Sequence, residues 1–446
     1  MKIDSSAKRP SSLWSGFLLS LATLSCLQPV LDRPAQAALE DSPKVILDEA
    51  WQLVNHWYVD GTFNHRDWQA TRQTLLNRNY TSRDQAYTAL RQALAELEDP
   101  YTRFMAPQEF LALTTQTSGQ LSGIGIHMQQ SEETKAIVVV KLLPDAPAFK
   151  AGLQVGDQIL AIDNRQTAMM DIKTASEMIR GESDTAVKLQ ISRAGQKPFL
   201  VTVKRAVIEL PTVESSIKQE GSHKIGYIRL QEFSAHASEQ MRMAIQRLQG
   251  EQVDGFVLDL RGNPGGLLSA SIDIAGMWLN NGLIVQTVDR QGHRENIAAH
   301  SIALTELPLV VLVDGDSASS SEILTGALQD NQRAKVVGTS TFGKALVQSV
   351  HQLSDGSGLA ITVSHYYTPK GTDISRKGIQ PDIAVGLNPE QLEVLNRDPS
   401  LKATASDPQY MRAISTLQQS IGSYQKRNLA PTALPATPKN ETAKRS

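Results

Sequence analysis

Cysteine is nearly absent from this sequence of 446 residues, in which Cys26 is the only one. It lies within residues 1–37, which have the pattern of a cleaved targeting signal. Removal of that segment leaves a chain without thiols. Such a chain has no disulfide bonds, no cysteine nucleophile, no CxxC redox site and no zinc site with cysteine ligands.

Long apolar runs are scarce as well, and the one at residues 13–27 is shorter than the roughly 20 residues that span a bilayer. Basic residues precede this run, and Ala35-Gln36-Ala37 places small residues before a cleavage site. These features together are typical of a secretory signal peptide. We therefore predict a signal peptide at residues 1–37 and an exported mature protein, with an uncleaved membrane anchor as the alternative.

An excess of charge of either sign is also missing, since 44 Lys and Arg balance 46 Asp and Glu to a formal net charge of −2. A protein without a basic excess lacks the usual electrostatic signature of nucleic-acid binding, so no nucleic-acid partner is predicted. Hydrophobic residues make up 41% and charged residues 20% of the chain. These values exclude wholesale disorder, a collagen-like repeat and a polytopic membrane protein.

The hydrophobic pattern changes along the chain and predicts a multidomain protein of the α+β and α/β classes. Helical spacing over 42–112 predicts an N-terminal helical region with a scaffold role. Short strands with glycines between them predict a β domain over 113–205. Alternating strands and helices over 206–390 predict an α/β core with a mixed sheet and crossover helices. A C-terminal helical segment at 391–425 and a disordered tail at 426–446 complete the prediction.

A serine-rich junction at residues 317–321 lies between a predicted buried strand and a predicted helix. Serine is a preferred N-cap, and Glu322 in the first helical turn complements such a cap. Helix N-terminal amides also favour developing negative charge, so the same junction suits a nucleophilic serine. These residues by themselves leave both explanations open.

A nucleophilic serine needs a base, and Lys344 is the candidate because no histidine has a local setting that marks it as a partner. To act near neutral pH, its pKa must fall from about 10.4 to roughly 7–8. Burial beside apolar neighbours such as Phe342 and Leu346 would lower the pKa by desolvation.

The same lysine ends a G-x-x-x-x-G-K pattern at residues 338–344, which is the pattern of a phosphate-binding loop. That motif requires Ser or Thr at the next position, where this chain has Ala345. It also requires a following helix, whereas residues 347–363 have the pattern of a β-hairpin. Nucleotide binding is therefore the weaker alternative.

A third segment, Asn263-Pro264-Gly265-Gly266, is a glycine turn between a predicted strand and a predicted helix. Such a turn usually has no catalytic role. Beside the serine junction, however, its backbone amides become candidates for a second oxyanion donor.

These segments together resemble the carboxyl-terminal processing (tail-specific) proteases, a serine protease family that uses a Ser/Lys pair. The resemblance extends from about residue 42 to 390. The matching motifs are DLRGNPGGLL at 259–268, SASSSE at 317–322, TFGKALVQ at 341–348, DGSGLAIT at 355–362 and GIQPD at 378–382.

The resemblance implies peptide-bond hydrolysis through an acyl-enzyme, with no metal and no other cofactor. By the same resemblance, the nucleophile is Ser319, the general base is Lys344, the residue assisting the lysine is Gln348, and the oxyanion donors are the backbone amides of Ser320 and of Gly265 or Gly266. Ser320 stands where the family usually has alanine, Ala345 where it usually has glycine, and Gly262 where it usually has asparagine. None of these departures removes a reacting group, although Ser320 adds a second hydroxyl beside Ser319.

The segment from residue 122 to 163 resembles a PDZ domain, because A-G-L-x-x-G-D at 151–157 is followed by an alternating strand. The resemblance implies that residues 113–205 form a PDZ domain, a β-sandwich or barrel-like domain that binds free C-termini by strand addition. The residues it assigns to peptide binding are Gly123, Ile124, Gly125, Ile126 and Arg180.

The implied partners are protein or peptide substrates with a free C-terminus. Within the family the sequence is most similar to forms from oxygenic phototrophs, one of which trims the C-terminal extension of the photosystem II reaction-centre subunit. The expected location is therefore the periplasm or the thylakoid lumen. Peripheral membrane association and oligomeric state stay open. An inactive PDZ scaffold is the main alternative, although such a protein would be expected to lack the serine or the lysine.

Overall fold

The computed structural model of the chain describes residues 42–300 and 302–429. The predicted signal peptide and residues 430–446 of the predicted tail lie outside the described residues. Within the described part, none of the helices combines the length and apolar character needed to cross a membrane.

The described part contains helices and strands in the regions predicted at 42–112, 113–205 and 206–390, and helices in the segment predicted at 391–425. The helices are α1 (Pro43–Trp57), α2 (Trp68–Asn77), α3 (Arg83–Ala95), α4 (Pro107–Ser118), α5 (Pro147–Lys150), α6 (Ile172–Ile179), α7 (Ala237–Gly250), α8 (Leu268–Trp278), α9 (Ser320–Asp330), α10 (Pro389–Arg397) and α11 (Pro408–Leu429). The strands are β1 (Arg103–Met105), β2 (Gln120–Gly123), β3 (Ile126–Gln130), β4 (Ile137–Leu142), β5 (Gln158–Ile162), β6 (Arg165–Gln166), β7 (Ala186–Ser192), β8 (Phe199–Lys204), β9 (Ala206–Glu209), β10 (Val213–Glu220), β11 (His223–Leu230), β12 (Gly255–Asp259), β13 (Leu283–Asp289), β14 (Arg294–Ala298), β15 (Leu309–Val313), β16 (Lys335–Gly338), β17 (Leu346–Gln352), β18 (Gly358–Tyr367) and β19 (Ile383–Ala384).

The first three helices pack together at the N-terminal end of the described chain. Each begins at a side-chain cap, because Ser42, Asp67 and Ser82 accept a hydrogen bond from a backbone N–H of the first turn. Their apolar faces share a core with Leu359 and Ile361 of β18. The helical region is therefore packed directly onto the α/β core.

Helix α4 crosses the boundary predicted between residues 112 and 113. Pro107 opens this helix, since proline is tolerated in a first turn whose N–H groups have no helical partner. Gly119 ends it in the left-handed conformation, with φ +67°. Just before the helix, β1 pairs antiparallel with β18 and fixes the preceding segment to the core.

The predicted β domain is a sheet with the strand order β3-β4-β5-β7-β8, and β6 pairs with β5. Buried side chains alternate along its strands, as in Val187, Leu189 and Ile191 of β7. Strand β3 lies at the edge of this sheet beside α6. The chain enters and leaves the domain through β2 and β9, which pair antiparallel with each other.

The α/β core is built on a six-stranded sheet with the order β10-β11-β12-β15-β16-β19. Strands β11, β12, β15, β16 and β19 run parallel to one another, whereas the edge strand β10 is antiparallel to β11. The sheet is therefore mixed, as predicted. Helices α7, α8 and α9 cover one face. Helix α11 covers the other face with Tyr410, Ile414 and Leu417.

A second, five-stranded sheet contains the predicted hairpin of β17 and β18. Strand β17 begins two residues after Lys344, where a phosphate-binding loop would have to open a helix. The prediction of a hairpin is confirmed, and the nucleotide-binding alternative loses its structural basis.

The predicted start of the tail at residue 426 is wrong, because α11 continues to Leu429. Apolar residues at helical spacing, up to Ile421, keep this helix on the sheet and support a longer last turn. The tail was predicted from composition, which changes gradually along the chain and gives no sharp boundary. The first proline that interrupts the helical pattern is Pro431.

A buried ion cluster joins β12 to the start of α11. Arg261, which is 8% exposed, lies 2.6 Å from a carboxylate oxygen of Asp259 and 2.8 Å from one of Asp407. Burial by itself would raise the pKa of Asp259, but the charge and hydrogen bonds of Arg261 lower it. Loss of this arginine would leave two buried carboxylates without a cation.

We expect Arg261→Met to reduce the free energy of unfolding by about 3–5 kcal/mol, because removing one partner of a buried ion pair strands the other. Urea unfolding monitored by circular dichroism measures the change. Arg397→Met is the control, since Arg397 pairs with Glu393 on the surface of α10 and should cost about 0.5 kcal/mol or less. Equal effects of the two substitutions would contradict the role of the buried cluster.

Candidate active site

Ser319 lies at the N-cap position of α9, directly after the turn that follows the fully buried strand β15. Its backbone has φ +54° and ψ −113°, a conformation that residues other than glycine rarely adopt. The carboxylate of Glu322 accepts a hydrogen bond from the Ser319 N–H at 2.9 Å. The capping explanation and the nucleophile explanation therefore apply to the same residue.

The other three serines of the junction donate their hydroxyl protons to backbone carbonyls. Ser317 donates to Leu260 at 2.8 Å, Ser320 to Gly266 at 2.9 Å and Ser321 to Asn263 at 2.9 Å. These bonds attach the junction to the end of β12 and to the glycine turn that follows it. Among the described residues, the Ser319 hydroxyl has no acceptor for its proton, so it is the hydroxyl available for chemistry.

The turn at residues 263–266 packs closely against Ser319. A Cβ atom added to Gly265 would lie 2.9 Å from the Ser319 Cβ. The Gly265 N–H donates to the Asn263 side chain at 2.9 Å, whereas the Gly266 N–H donates to no described residue. The Ser320 N–H, in the first turn of α9, is likewise without an acceptor in the described part. Two unpaired amides, of Gly266 and Ser320, therefore flank Ser319.

Lys344 lies in the loop between β16 and β17, and its Nζ atom is 4.6 Å from the centroid of the Tyr101 ring. Burial lowers the pKa of Lys344, and the positive charge of Arg103 lowers it further. Asp99 and Glu322 act in the opposite direction. The direction of the pKa shift is the one that a lysine base requires.

The expected neighbour Phe342 is 52% exposed, so the expectation that it would bury the lysine is wrong. The aromatic ring next to the amine belongs to Tyr101, from the region predicted to be only a scaffold. No local pattern marks Tyr101 or Arg103, since pairing of β1 with β18 brings their segment to the site.

A cavity of about 290 Å³ contains the predicted protease residues together. Its lining includes Ser319, Ser320, Gly266, Lys344 and Gln348, but not Gly265. Lys344 and Ser319 both line this cavity, and no direct hydrogen bond joins their side chains. The Nε2 atom of Gln348 is buried without a partner among the described residues, so it remains available to a substrate or to a rearranged lysine.

Comparisons with known proteins agree with this arrangement. Residues 224–385 match the model of Peptidase family S41, and residues 138–193 match a PDZ domain model. The chain is 43% identical to the carboxyl-terminal-processing protease of Synechocystis sp., over 85% of this chain and 88% of that protein. It is 39% identical to the chloroplastic carboxyl-terminal-processing peptidase 2 of Arabidopsis thaliana, over 82% and 74% of the two chains.

The chain belongs to peptidase family S41. It is a serine peptidase of the carboxyl-terminal-processing type, with a PDZ domain, and peptides or proteins are its substrates. A solved structure titled photosystem II D1 C-terminal processing protease is 35% identical to it, with a TM-score of 0.48, and covers 78% of this chain and 94% of that one.

In this S41 peptidase, Glu322 connects the serine turn to the lysine loop. Its carboxylate accepts hydrogen bonds from the N–H groups of Ser319 and Lys344, both at 2.9 Å, and from Gly343 at 2.7 Å. The hydroxyl of Thr341 donates to it at 2.6 Å. Burial raises the pKa of Glu322, and these hydrogen bonds oppose that shift. Sequence reasoning treated Glu322 as a capping residue and missed this connection.

The PDZ domain of this peptidase places residues 123–126 between β2 and the edge strand β3. Gly125 has φ +80°, and a Cβ atom there would lie 2.3 Å from the Ala146 Cβ, so only glycine fits. Ile124 is buried in the domain core. Arg180 is exposed at the C-terminal end of α6, and its side chain has no ion pair among the described residues. The buried Arg205, rather than Arg180, binds the last carbonyls of that helix.

We expect Gly266→Ala to reduce both stability and cleavage. The added Cβ would lie 2.4 Å from the Phe233 carbonyl oxygen, on a backbone with φ +140°. Strain of this kind costs about 1–3 kcal/mol and displaces the neighbouring amide from Ser319. Thermal unfolding and a peptide-cleavage assay measure the two effects.

Gly262→Asn is the matched control in the same turn. Gly262 has φ +71°, which asparagine tolerates, and nothing lies within 4 Å of an added Cβ. This variant should stay within about 0.5 kcal/mol of the parent and retain activity. A Gly266→Ala protein as stable and active as the parent would contradict the packing described for this turn.

Proposed function

We propose that this protein is an exported endopeptidase that cleaves near the C-terminus of its substrates with Ser319 as nucleophile and Lys344 as general base. The observation that carries the proposal is the shared cavity. It combines a serine hydroxyl without an acceptor among the described residues, a partly buried lysine whose pKa is lowered, and the amides of Ser320 and Gly266, which also lack acceptors in that part of the chain.

The proposed reaction begins with proton transfer from Ser319 Oγ to the neutral amine of Lys344. The oxygen attacks the scissile carbonyl, and the negative charge that develops is stabilised by the amides of Ser320 and Gly266 and by the N-terminus of α9. Lys344 then donates the proton to the leaving amine. Water hydrolyses the acyl-enzyme, with Lys344 accepting a proton and returning it to Ser319.

The lysine must approach the serine during this reaction, because the two side chains share the cavity without a hydrogen bond. Catalytic hydrogen bonds are often long before substrate binds and tighten in the complex. The buried Nε2 of Gln348, which lacks a partner among the described residues, is placed to act in this rearrangement. We assign Gln348 the role of orienting the amine or the bound peptide.

The PDZ domain is proposed to capture the free C-terminus of the substrate. Strand β3 pairs on one side only, so its other edge offers backbone groups to an added peptide strand. The loop at residues 123–126 would bind the terminal carboxylate through its amides. Capture of the C-terminus by the PDZ domain and cleavage by the protease core explain why a peptide-binding domain and a hydrolase share one chain.

The proposed substrate is the C-terminal extension of the photosystem II D1 subunit, in the periplasm or the thylakoid lumen. Kinship with cyanobacterial and chloroplast processing proteases supports this choice. The signal-peptide pattern of residues 1–37 supports export.

We expect Ser319→Ala and Lys344→Met each to reduce cleavage of a peptide with a free apolar C-terminus by about 10⁴-fold or more, since residues that act as one catalytic unit cannot replace each other. Mass spectrometry of the products measures the rates. Ser321→Ala, which loses a buried hydroxyl in the same junction, is the control and should retain cleavage. Substantial activity of Ser319→Ala would refute the dyad, and a parent protein that binds without cleaving would support the inactive scaffold.

Peptide capture should depend on the terminal carboxylate. Amidation of the peptide is expected to weaken binding to the Ser319→Ala protein about tenfold or more, because a hydrogen bond to a charged group contributes about 1.5–3 kcal/mol. Fluorescence anisotropy with the two forms of one labelled peptide measures the difference. Equal affinities would show that the loop at residues 123–126 does not bind the carboxylate.

A further inference from the structure

Tyr366 connects the backbones of the two proposed catalytic residues. It lies on β18 and is 2% exposed. Its hydroxyl oxygen lies 2.5 Å from the carbonyl oxygen of Lys344 and 3.2 Å from that of Ser319. Both partners are acceptors, so the phenol is the donor, and its single proton is directed to one carbonyl or shared between the two.

The hydrogen bond matters more to the lysine than to the serine. The Ser319 carbonyl also accepts from the N–H groups of Glu322 and Ile323, at 2.8 and 3.0 Å. Among the described residues, the Lys344 carbonyl accepts a hydrogen bond from Tyr366 alone. Burial keeps the pKa of the phenol well above its usual value, so Tyr366 remains a donor across the working pH range.

The hydroxyl of Tyr366 complements the carboxylate of Glu322. The N–H groups of Ser319 and Lys344 both donate to Glu322, and the carbonyls of the same two residues both face Tyr366. Each of the two backbone segments is thus held by one buried acceptor and one buried donor. Tyr366 belongs to the five-stranded sheet, whereas the serine turn follows the six-stranded sheet, so the phenol also links the two sheets at the site.

We propose that Tyr366 is a positioning residue, which holds the Lys344 backbone against the serine turn so that the amine stays buried in the cavity. This inference rests on the proposed function of Ser319 and Lys344. Tyr366 itself does not touch the reacting atoms. Its loss should loosen the lysine loop, admit water to the amine and move the amine away from the hydroxyl.

The test is Tyr366→Phe, which removes one oxygen and keeps the ring. Misplacement of a catalytic group by about 1 Å can cost about 10²-fold, so we expect kcat to fall roughly ten- to hundredfold with little change in KM. Better hydration of the amine raises the Lys344 pKa. Because the base must be neutral, the acid limb of the pH–rate profile should then move to higher pH.

Tyr410→Phe is the matched control, since Tyr410 is equally buried and its hydroxyl donates to Glu220 on the far side of the sheet, at 2.8 Å. Tyr410→Phe should lower the midpoint of thermal unfolding by about as much as Tyr366→Phe does, while leaving kcat and the pH–rate profile unchanged. All rates are compared at a temperature at which each variant is folded by circular dichroism.

A second measurement separates positioning from general destabilisation. Labelling of Ser319 by a fluorophosphonate reports activation of the hydroxyl by Lys344. Tyr366→Phe should slow labelling in the parent and have no further effect in the Lys344→Met background. A further loss in that background, or a parent-like kcat and pH profile, would overturn the role of Tyr366. Cleavage by Ser319→Ala would instead overturn the proposed function on which this inference rests.

Discussion

The architecture of the site depends on one buried carboxylate, that of Glu322. It accepts four hydrogen bonds, from the N–H groups of Ser319, Gly343 and Lys344 and from the hydroxyl of Thr341. Without this acceptor, several donors in a water-poor region would be unpaired, at a cost of about 1–3 kcal/mol each. The unusual backbone of Ser319 and the course of the lysine loop are therefore stabilised by the same group. A residue that looks like a helix cap in sequence holds two loops of the active site together.

The site forms where three units of the chain meet. The six-stranded sheet presents the serine turn and the glycine turn at the carboxyl ends of neighbouring parallel strands, β15 and β12. The lysine loop leads from this sheet into the hairpin of the second sheet. The N-terminal region, fixed to the core by the pairing of β1 with β18, contributes the ring of Tyr101, just before β1, and the charge of Arg103 in β1. Lys344 is partly buried because it lies between these units, and desolvation is the main cause of its lowered pKa.

Local signals predicted much of this correctly. The alternating pattern around DGSG predicted the hairpin of β17 and β18, because strand periodicity and turn chemistry are properties of adjacent residues. The alternation of strand and helix patterns over 206–390 predicted the α/β core for the same reason. The errors have a common cause. Phe342 was expected to bury the lysine because it is close in sequence, and the tail was placed too early because composition does not show which residues pack on a sheet.

The sequence alone determined the order of the motifs, the strand–turn–helix setting of the serines and the membership of the family, since these depend on neighbouring residues and on residue types. Tertiary structure decided which serine hydroxyl is free, because the acceptors for Ser317, Ser320 and Ser321 come from residues more than fifty positions away. It also decided which glycine amide is unpaired and which ring contacts Lys344. Hydrogen-bond partners and burial are set by long-range packing, which local periodicity does not encode.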